Sequence, residues 1–190
     1  MSVRYKHSDI YSMYFFTFTC CNWINLFEIS NAYNTVYNWF TVLQDKYNCD
    51  VGAYVIMPNH LHCILYFKEA GFDSNKIIAN GKRFMAYAII ERLKEKEATD
   101  LLKTLSDTLT GREKKKGQVH KVFKDSFDAK AVFSDKFLTQ KVDYIHHNPV
   151  NGKWNLVNDF TSYEHSSASF YESGIVRHFT PLHYKEILKL

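Results

Sequence analysis

Residues 51–67, VGAYVIMPNHLHCILYF, hold two apolar runs split by a proline–asparagine pair. The runs 51–57 and 61–67 are rich in residues that suit a pleated surface, and Pro58-Asn59 between them is turn-forming. The segment therefore reads as a β-hairpin. Side chains alternate along a strand, so His60 and His62 share one face, roughly 6.6–6.8 Å apart at Cα, while Leu61 and Cys63 turn to the other. A His-x-His pair of this kind is also an ordinary pattern of partly exposed sheet residues. Its place beside a turn, where sheets display functional groups, raises its interest.

Working outward from the hairpin, YFFTFTCC (14–21) alternates large apolar with small polar groups and reads as a strand. Ser30 is placed to cap a helix over 31–48, in which Val36, Phe40, Leu43 and Tyr47 recur at helical spacing. Downstream, 73–97 forms a second helical stretch with Ile77, Ile78, Phe84, Tyr87, Ala88 and Leu93 as its apolar stripe. Residues 98–117 are polar and end in GREKKKG; the second half of this stretch reads as a mobile loop or excursion, and QVHKVFK (118–124) reads as a further short strand. The order strand, helix, strand, strand, helix, strand is the split pattern of a ferredoxin-like sheet. The expected class is α+β: a ferredoxin-like βαββαβ antiparallel sheet with helices on one face, plus an additional helix over 134–147 and a C-terminal extension. Ser134 is the cap of that helix, and Pro149 is expected to force Asn148 out of helical geometry and end it. The chain reads as a single domain, 1–190, with its core at about 14–150 and an extension over 151–190 that carries one short terminal helix.

Composition agrees with one globular unit. A chain of 190 residues with 46% hydrophobic content is long enough for a real core, and only 7 Gly and 3 Pro argue against linkers. The formal charge of +4 permits a polyanionic partner without requiring one. Cys20, Cys21, Cys49 and Cys63 lack zinc-ligand spacing and read as small buried apolar residues. No signal peptide or membrane-length apolar run is visible, so the expectation is a soluble, cytoplasmic protein with no membrane partner.

The second informative stretch is DYIHHNPV at 143–150. On a helix, Lys141, Tyr144 and Asn148 occupy relative positions −3, 0 and +4, which is one face. As structure, Tyr144 is a packing residue and Asn148 a helix end. As chemistry, Tyr144 is a phenolic nucleophile and Asn148 a neutral oxygen ligand suited to Mg²⁺ or Mn²⁺. A phenol with a reference pKa near 10 is ionised about one time in a thousand at pH 7, a deficit of roughly 4 kcal/mol. A divalent ion that polarises a phosphate and stabilises the leaving oxygen supplies several kcal/mol, and Lys141 favours the phenolate. The product of such an attack is a phosphotyrosine diester, which conserves the energy of the broken bond.

HLH after an apolar strand, followed far downstream by a helix ending YIHHNPV, resembles the single-tyrosine transposases of the His-hydrophobic-His nuclease superfamily. More narrowly, it is similar to the REP-associated tyrosine transposases. The likeness runs from about Tyr14 to Tyr171 through YFFTFT, YVIMPNHLHCILYF, GKRFMAYAI, HKVFKDSF, DYIHHNPVNGKW and YEHSSASFY. The resemblance implies cleavage and rejoining of single-stranded DNA through a 5′-phosphotyrosine intermediate with a free 3′-OH. It assigns Tyr144 as the nucleophile, borne on the additional helix, and His60, His62 and Asn148 as metal ligands. In related insertion-sequence enzymes the last position is commonly glutamine, so asparagine favours the REP-associated branch. The implied partners are single-stranded DNA hairpins at element or repeat ends, with a homodimer as one possible assembly.

DNA contacts are expected from Arg112, Lys114, Lys115, Lys116, Lys121 and Lys124, six basic residues in a segment with one acid, Glu113. Lys82, Arg83 and Lys141 are further candidates, and Phe123, Phe127 and Trp154 are candidates to stack on bases. Three rival readings remain: a domesticated repeat-processing nuclease, a single-strand-binding module without catalysis, and a metal-dependent hydrolase in which water attacks.

Overall fold

Strand alternation gives the sheet two unlike faces, and each face recruits its own helices. The computed structural model describes residues 12–189; residues 1–11 and 190, the ends of the expected 1–190 domain, lie outside the described residues. The strands are β1 (Met13–Thr19), β2 (Cys49–Met57), β3 (His60–Phe67) and β4 (Asp128–Ala131), ordered β2-β3-β1-β4 with every neighbouring pair antiparallel. This is the expected βαββαβ sheet. The helices are α1 (Leu26–Ile29), α2 (Tyr33–Tyr47), α3 (Ser74–Glu95), α4 (Thr99–Asp107), α5 (Gly111–Lys115), α6 (Asp135–His147), α7 (Ala168–Ser173) and α8 (Tyr184–Ile187).

On one face, Tyr14, Phe16 and Phe18 of β1 and Leu61, Cys63, Leu65 and Phe67 of β3 meet the crossover helices through Val36, Phe40 and Leu43 of α2 and Ile77, Ile78, Met85, Ile89 and Leu93 of α3. Each large apolar side chain buried there contributes about 1.5–3 kcal/mol. A bulge between Val51 and Ala53 lets Val51 and Tyr54, three residues apart, point into this same core. The opposite face presents Met13, Phe15, Ala53, Val55, Met57 and Ile64, on which α6 lays Leu138, Val142 and Ile145 at helical spacing.

The C-terminal extension closes the β2 edge. Ile56 N–H donates to His165 O at 2.8 Å, Ser167 N–H to Tyr54 O at 3.0 Å, and Leu182 N–H to Val51 O at 2.9 Å. These bonds satisfy an edge strand that would otherwise leave its backbone unpaired, and every residue of β2 is buried.

Several local expectations are corrected. Residues 118–124 do not form the fourth strand: Phe123 makes one isolated bridge to Cys20, and the ladder against β1 is made by Asp128–Ala131. That strand, DAKA, is a short edge with half of its residues exposed, so it carries no apolar alternation to read. The second half of 98–117, expected as a loop, holds the short helix α5 with a reciprocal capping box between Thr110 and Glu113; the first half is α4, with Leu105 fully buried. Ser30 does not cap α2; its hydroxyl donates to Leu26 O at 2.5 Å and closes α1. Phe84 and Tyr87 face solvent, because the buried positions of α3 follow a face centred on Gly81, where Trp39 packs. The backbone of Asn148 remains helical, with φ −53° and ψ −41°, and Pro149 is accommodated in a 3₁₀ turn over Asn148–Val150.

Candidate active site

The tight turn at Pro58-Asn59 starts β3 at His60, whose neighbours across the sheet are Thr19 and Met57; His62 lies between Thr17 and Val55. Both imidazoles lie on the α6 side of the sheet, each about 5% exposed, with ring centroids 4.7 Å apart. Each has its Nδ1 engaged. His60 Nδ1 is 2.7 Å from Asn59 Oδ1, and His62 Nδ1 is 2.6 Å from Thr17 Oγ1. Asn59 donates through its own amide nitrogen to Trp23 O at 2.7 Å, which leaves its oxygen to accept from His60. At His60 this leaves Nε2 as the lone-pair nitrogen; at His62 the same follows when Nδ1–H donates to the Thr17 hydroxyl. Phe15 stacks against His62 with centroids 5.4 Å apart.

Burial lowers the pKa of His60 to about 4, with the Asn148 side chain opposing the shift and Lys153 adding to it. Burial also holds His62 well below the ordinary imidazole range, reinforced by His60 and Lys141. Both rings are neutral at pH 7.

The α6 helix brings the second cluster to the same place. Leu138, Val142 and Ile145 seat it on the sheet, which carries the 45%-exposed ring of Tyr144 to the histidines. The Tyr144 hydroxyl lies 3.4 Å from His62 Nε2, and the two rings are 5.1 Å apart at their centroids. Lys141 places Nζ 5.3 Å from the Tyr144 ring and 4.8 Å from that of Phe15. One turn further on, Asn148 is buried at 8% exposure; its side chain faces His60 closely enough to oppose the fall in that ring's pKa, but Oδ1 makes no hydrogen bond of good geometry. Two segments remote in sequence thus meet in one chain.

The other basic candidates scatter. Lys124 stands over the Trp23 ring, 4.3 Å from its centroid, beside the histidines. Lys82 is turned inward, donating to the carbonyls of Lys124 and Asp125; burial lowers its pKa to about 8. Lys121 pairs with Glu113 at 2.5 Å and Asp125 at 3.2 Å, while Arg83 stacks on Phe84. Arg112, Lys114 and Lys115 lie in α5 and Lys116 is its C-cap. Phe123 and Phe127 belong to the α2–α3 core. Trp154 is 5.7 Å from His60 between ring centroids.

Thr17, Asn59 and Trp23 were not singled out from sequence. Thr17 is recoverable from the alternation of YFFTFT, and Asn59 from its place between the turn proline and His60. Trp23 had no sequence signal.

No protein-family model matches the chain, and no curated protein sequence matches it. Among solved structures, it is similar to a REP-associated tyrosine transposase bound to a REP hairpin, with a TM-score of 0.60 and 18% identity over 96% of this chain and 93% of the other. At that identity the likeness is one of fold: an α+β protein with a four-stranded antiparallel sheet and helices packed on it. Among the described residues, no helix is long and apolar enough to cross a membrane.

Proposed function

We propose that this protein is a divalent-metal-dependent nuclease and strand-transferase of single-stranded DNA, working through a phosphotyrosine intermediate on Tyr144. The observation that carries the reading is the meeting of Tyr144 with His62, 3.4 Å from hydroxyl to Nε2, with a buried Asn148 Oδ1 facing His60 and left without a well-formed hydrogen bond. A buried amide oxygen without a hydrogen bond is costly, and a cation ligated there accounts for it.

The residues fit a Mg²⁺ or Mn²⁺ site made by His60, His62 and Asn148. Both imidazoles are neutral and their Nδ1 atoms are engaged, which turns the Nε2 atoms toward a common ion; at His62 that ion would displace the Tyr144 hydroxyl, 3.4 Å away. Among the described residues, no group of three or more His, Cys, Asp or Glu side chains forms a metal cluster; the third donor here is an amide. When bound, the metal polarises the scissile phosphate and stabilises the leaving oxygen.

The chain's own residues supply the rest. Tyr144 Oη forms a bond to phosphorus as the P–O3′ bond breaks, leaving a 5′-phosphotyrosine and a 3′-hydroxyl. Lys141, held above the Tyr144 ring, favours the developing phenolate and neutralises the phosphate. Rejoining is the reverse attack by a 3′-hydroxyl and needs no nucleotide cofactor. A folded hairpin with an unpaired flank is the expected substrate, in keeping with the DNA bound in the solved structure of similar fold.

The test is a denaturing gel of the protein with end-labelled single-stranded hairpin DNA and Mn²⁺, beside Tyr144→Phe and His60→Ala. A protein-linked DNA band lost in both variants is expected. Cleavage that persists in Tyr144→Phe assigns the attack to water and overturns the mechanism. Binding without adduct or cleavage identifies a non-catalytic module.

A further inference from the structure

Trp23 stands beside the histidines and keeps 52% of its surface exposed. Its backbone is in the left-handed region, φ +58°, directly after Asn22 at φ +51°. A bulky aromatic residue is an outlier there, held only when its surroundings over-determine it. Two hydrogen bonds do so: its N–H donates to Cys20 O at 3.2 Å, and its carbonyl accepts from Asn59 Nδ2 at 2.7 Å. Through the other end of that amide, the Trp23 backbone is tied to His60. The Trp23 and His60 rings meet edge to face with centroids 6.1 Å apart.

Two ammonium groups attend the indole. Lys124 Nζ is 4.3 Å and Lys153 Nζ 6.0 Å from its centroid, and Lys153 also lies 5.4 Å from the Trp154 ring. A cation over an exposed ring is held more weakly than a stacked base. An incoming base therefore displaces the ammonium groups from the ring and frees them for backbone phosphates. A paired base in a duplex has no free face to offer, so the fitting ligand is an unpaired one.

We infer that Trp23 is a stacking platform for an unpaired nucleobase next to the scissile phosphate, with Lys124 and Lys153 on the flanking phosphates. The inference rests on reading the neighbouring histidines and Tyr144 as a DNA-cleaving site. It explains why a strained, solvent-facing indole is anchored by the same asparagine that orients His60.

The experiment measures binding of a labelled single-stranded oligonucleotide to the full chain in a Tyr144→Phe background, where no adduct forms. A set of oligonucleotides carries one abasic position at each site in turn. Trp23→Ala should weaken binding roughly 5- to 150-fold, the range of one base stack, and Trp23→Phe should recover most of the loss. Trp23→Gly should lose as much as the alanine variant although glycine adopts positive φ freely, which separates ring loss from backbone disruption. One abasic position should cost the chain that keeps Trp23 that same factor and cost Trp23→Ala nothing. Equal affinity with and without the Trp23→Ala substitution, or an abasic profile identical in both chains, overturns the platform. If the wild type still forms adduct in that event, the nuclease reading stands alone. Conversely, Trp23-dependent binding by a chain that never forms adduct supports the platform and sinks the nuclease.

Discussion

The hydroxyl of Tyr144 lies 3.4 Å from Nε2 of His62, a contact between residues 82 positions apart. It occupies the lone pair that the proposed metal needs, so tyrosine and cation compete for one nitrogen. The bond is long and between neutral groups, at or below the low end of the roughly 0.5–1.5 kcal/mol typical of a net hydrogen bond. Tyr144→Phe is therefore expected to tighten Mn²⁺ binding about twofold, read by calorimetric titration. Affinity that falls more than tenfold would make Tyr144 itself a ligand.

Thr17 orients the other end of the same ring, with Oγ1 2.6 Å from His62 Nδ1. Loss of such an outer partner typically costs about 10–100-fold in metal affinity. Thr17→Val keeps the shape and removes the hydroxyl, so Mn²⁺ affinity should fall within that range, while Thr17→Ser should remain near wild type. A Thr17→Val chain that binds Mn²⁺ normally would show that the hydroxyl does not set the tautomer of His62.

Buried neutral histidines make the fold sensitive to acid. Burial lowers the pKa of His60 to about 4 and that of His146 to about 3, and holds His62 well below its usual value. The unfolded chain protonates these rings near pH 6.5 and the native chain does not, so their contribution is intact above pH 6.5 and lost as pH falls toward 4. Each adds a slope of about 1.4 kcal/mol per pH unit in that window. Urea titrations between pH 7 and 4.5 should show stability dropping steeply, and His146→Gln should lessen the slope by about one ring's worth. A profile flat from pH 7 to 5 would contradict the assignment.

The parts of this architecture that were readable from sequence are those where one local pattern decides. The Pro58-Asn59 turn and the alternation around it put His60 and His62 on one face, and Ser134 accepts from Phe137 N–H at 3.2 Å as a helix cap should. What escaped depends on tertiary context. Asp128–Ala131 is an edge strand whose partner pattern lies in β1, so its own residues carry little signal. Asn148 stays helical because the chain continues into a 3₁₀ turn through Pro149. Trp23 is placed by a backbone conformation that its residue type disfavours, and no propensity argument reaches it.

Gly81 is a case where context reverses a propensity. In a helix interior, alanine is ordinarily favoured over glycine by about 1 kcal/mol. A Cβ at Gly81 would stand 2.5 Å from Nε1 and 2.6 Å from Cε2 of Trp39, closer than real Cβ contacts allow. Trp39 is itself only 6% exposed and packs against Phe18 and Phe40, so its ring has little room to retreat. Overpacking of this kind costs about 1–3 kcal/mol, enough to cancel or exceed the helical gain. Gly81→Ala is therefore expected to lower the urea midpoint, and in a Trp39→Leu background, where the space is cleared, the same Gly81→Ala change should cost less or stabilise. A single Gly81→Ala chain more stable than wild type would mean that α2 and α3 can move apart without cost, and that the glycine does not set their separation.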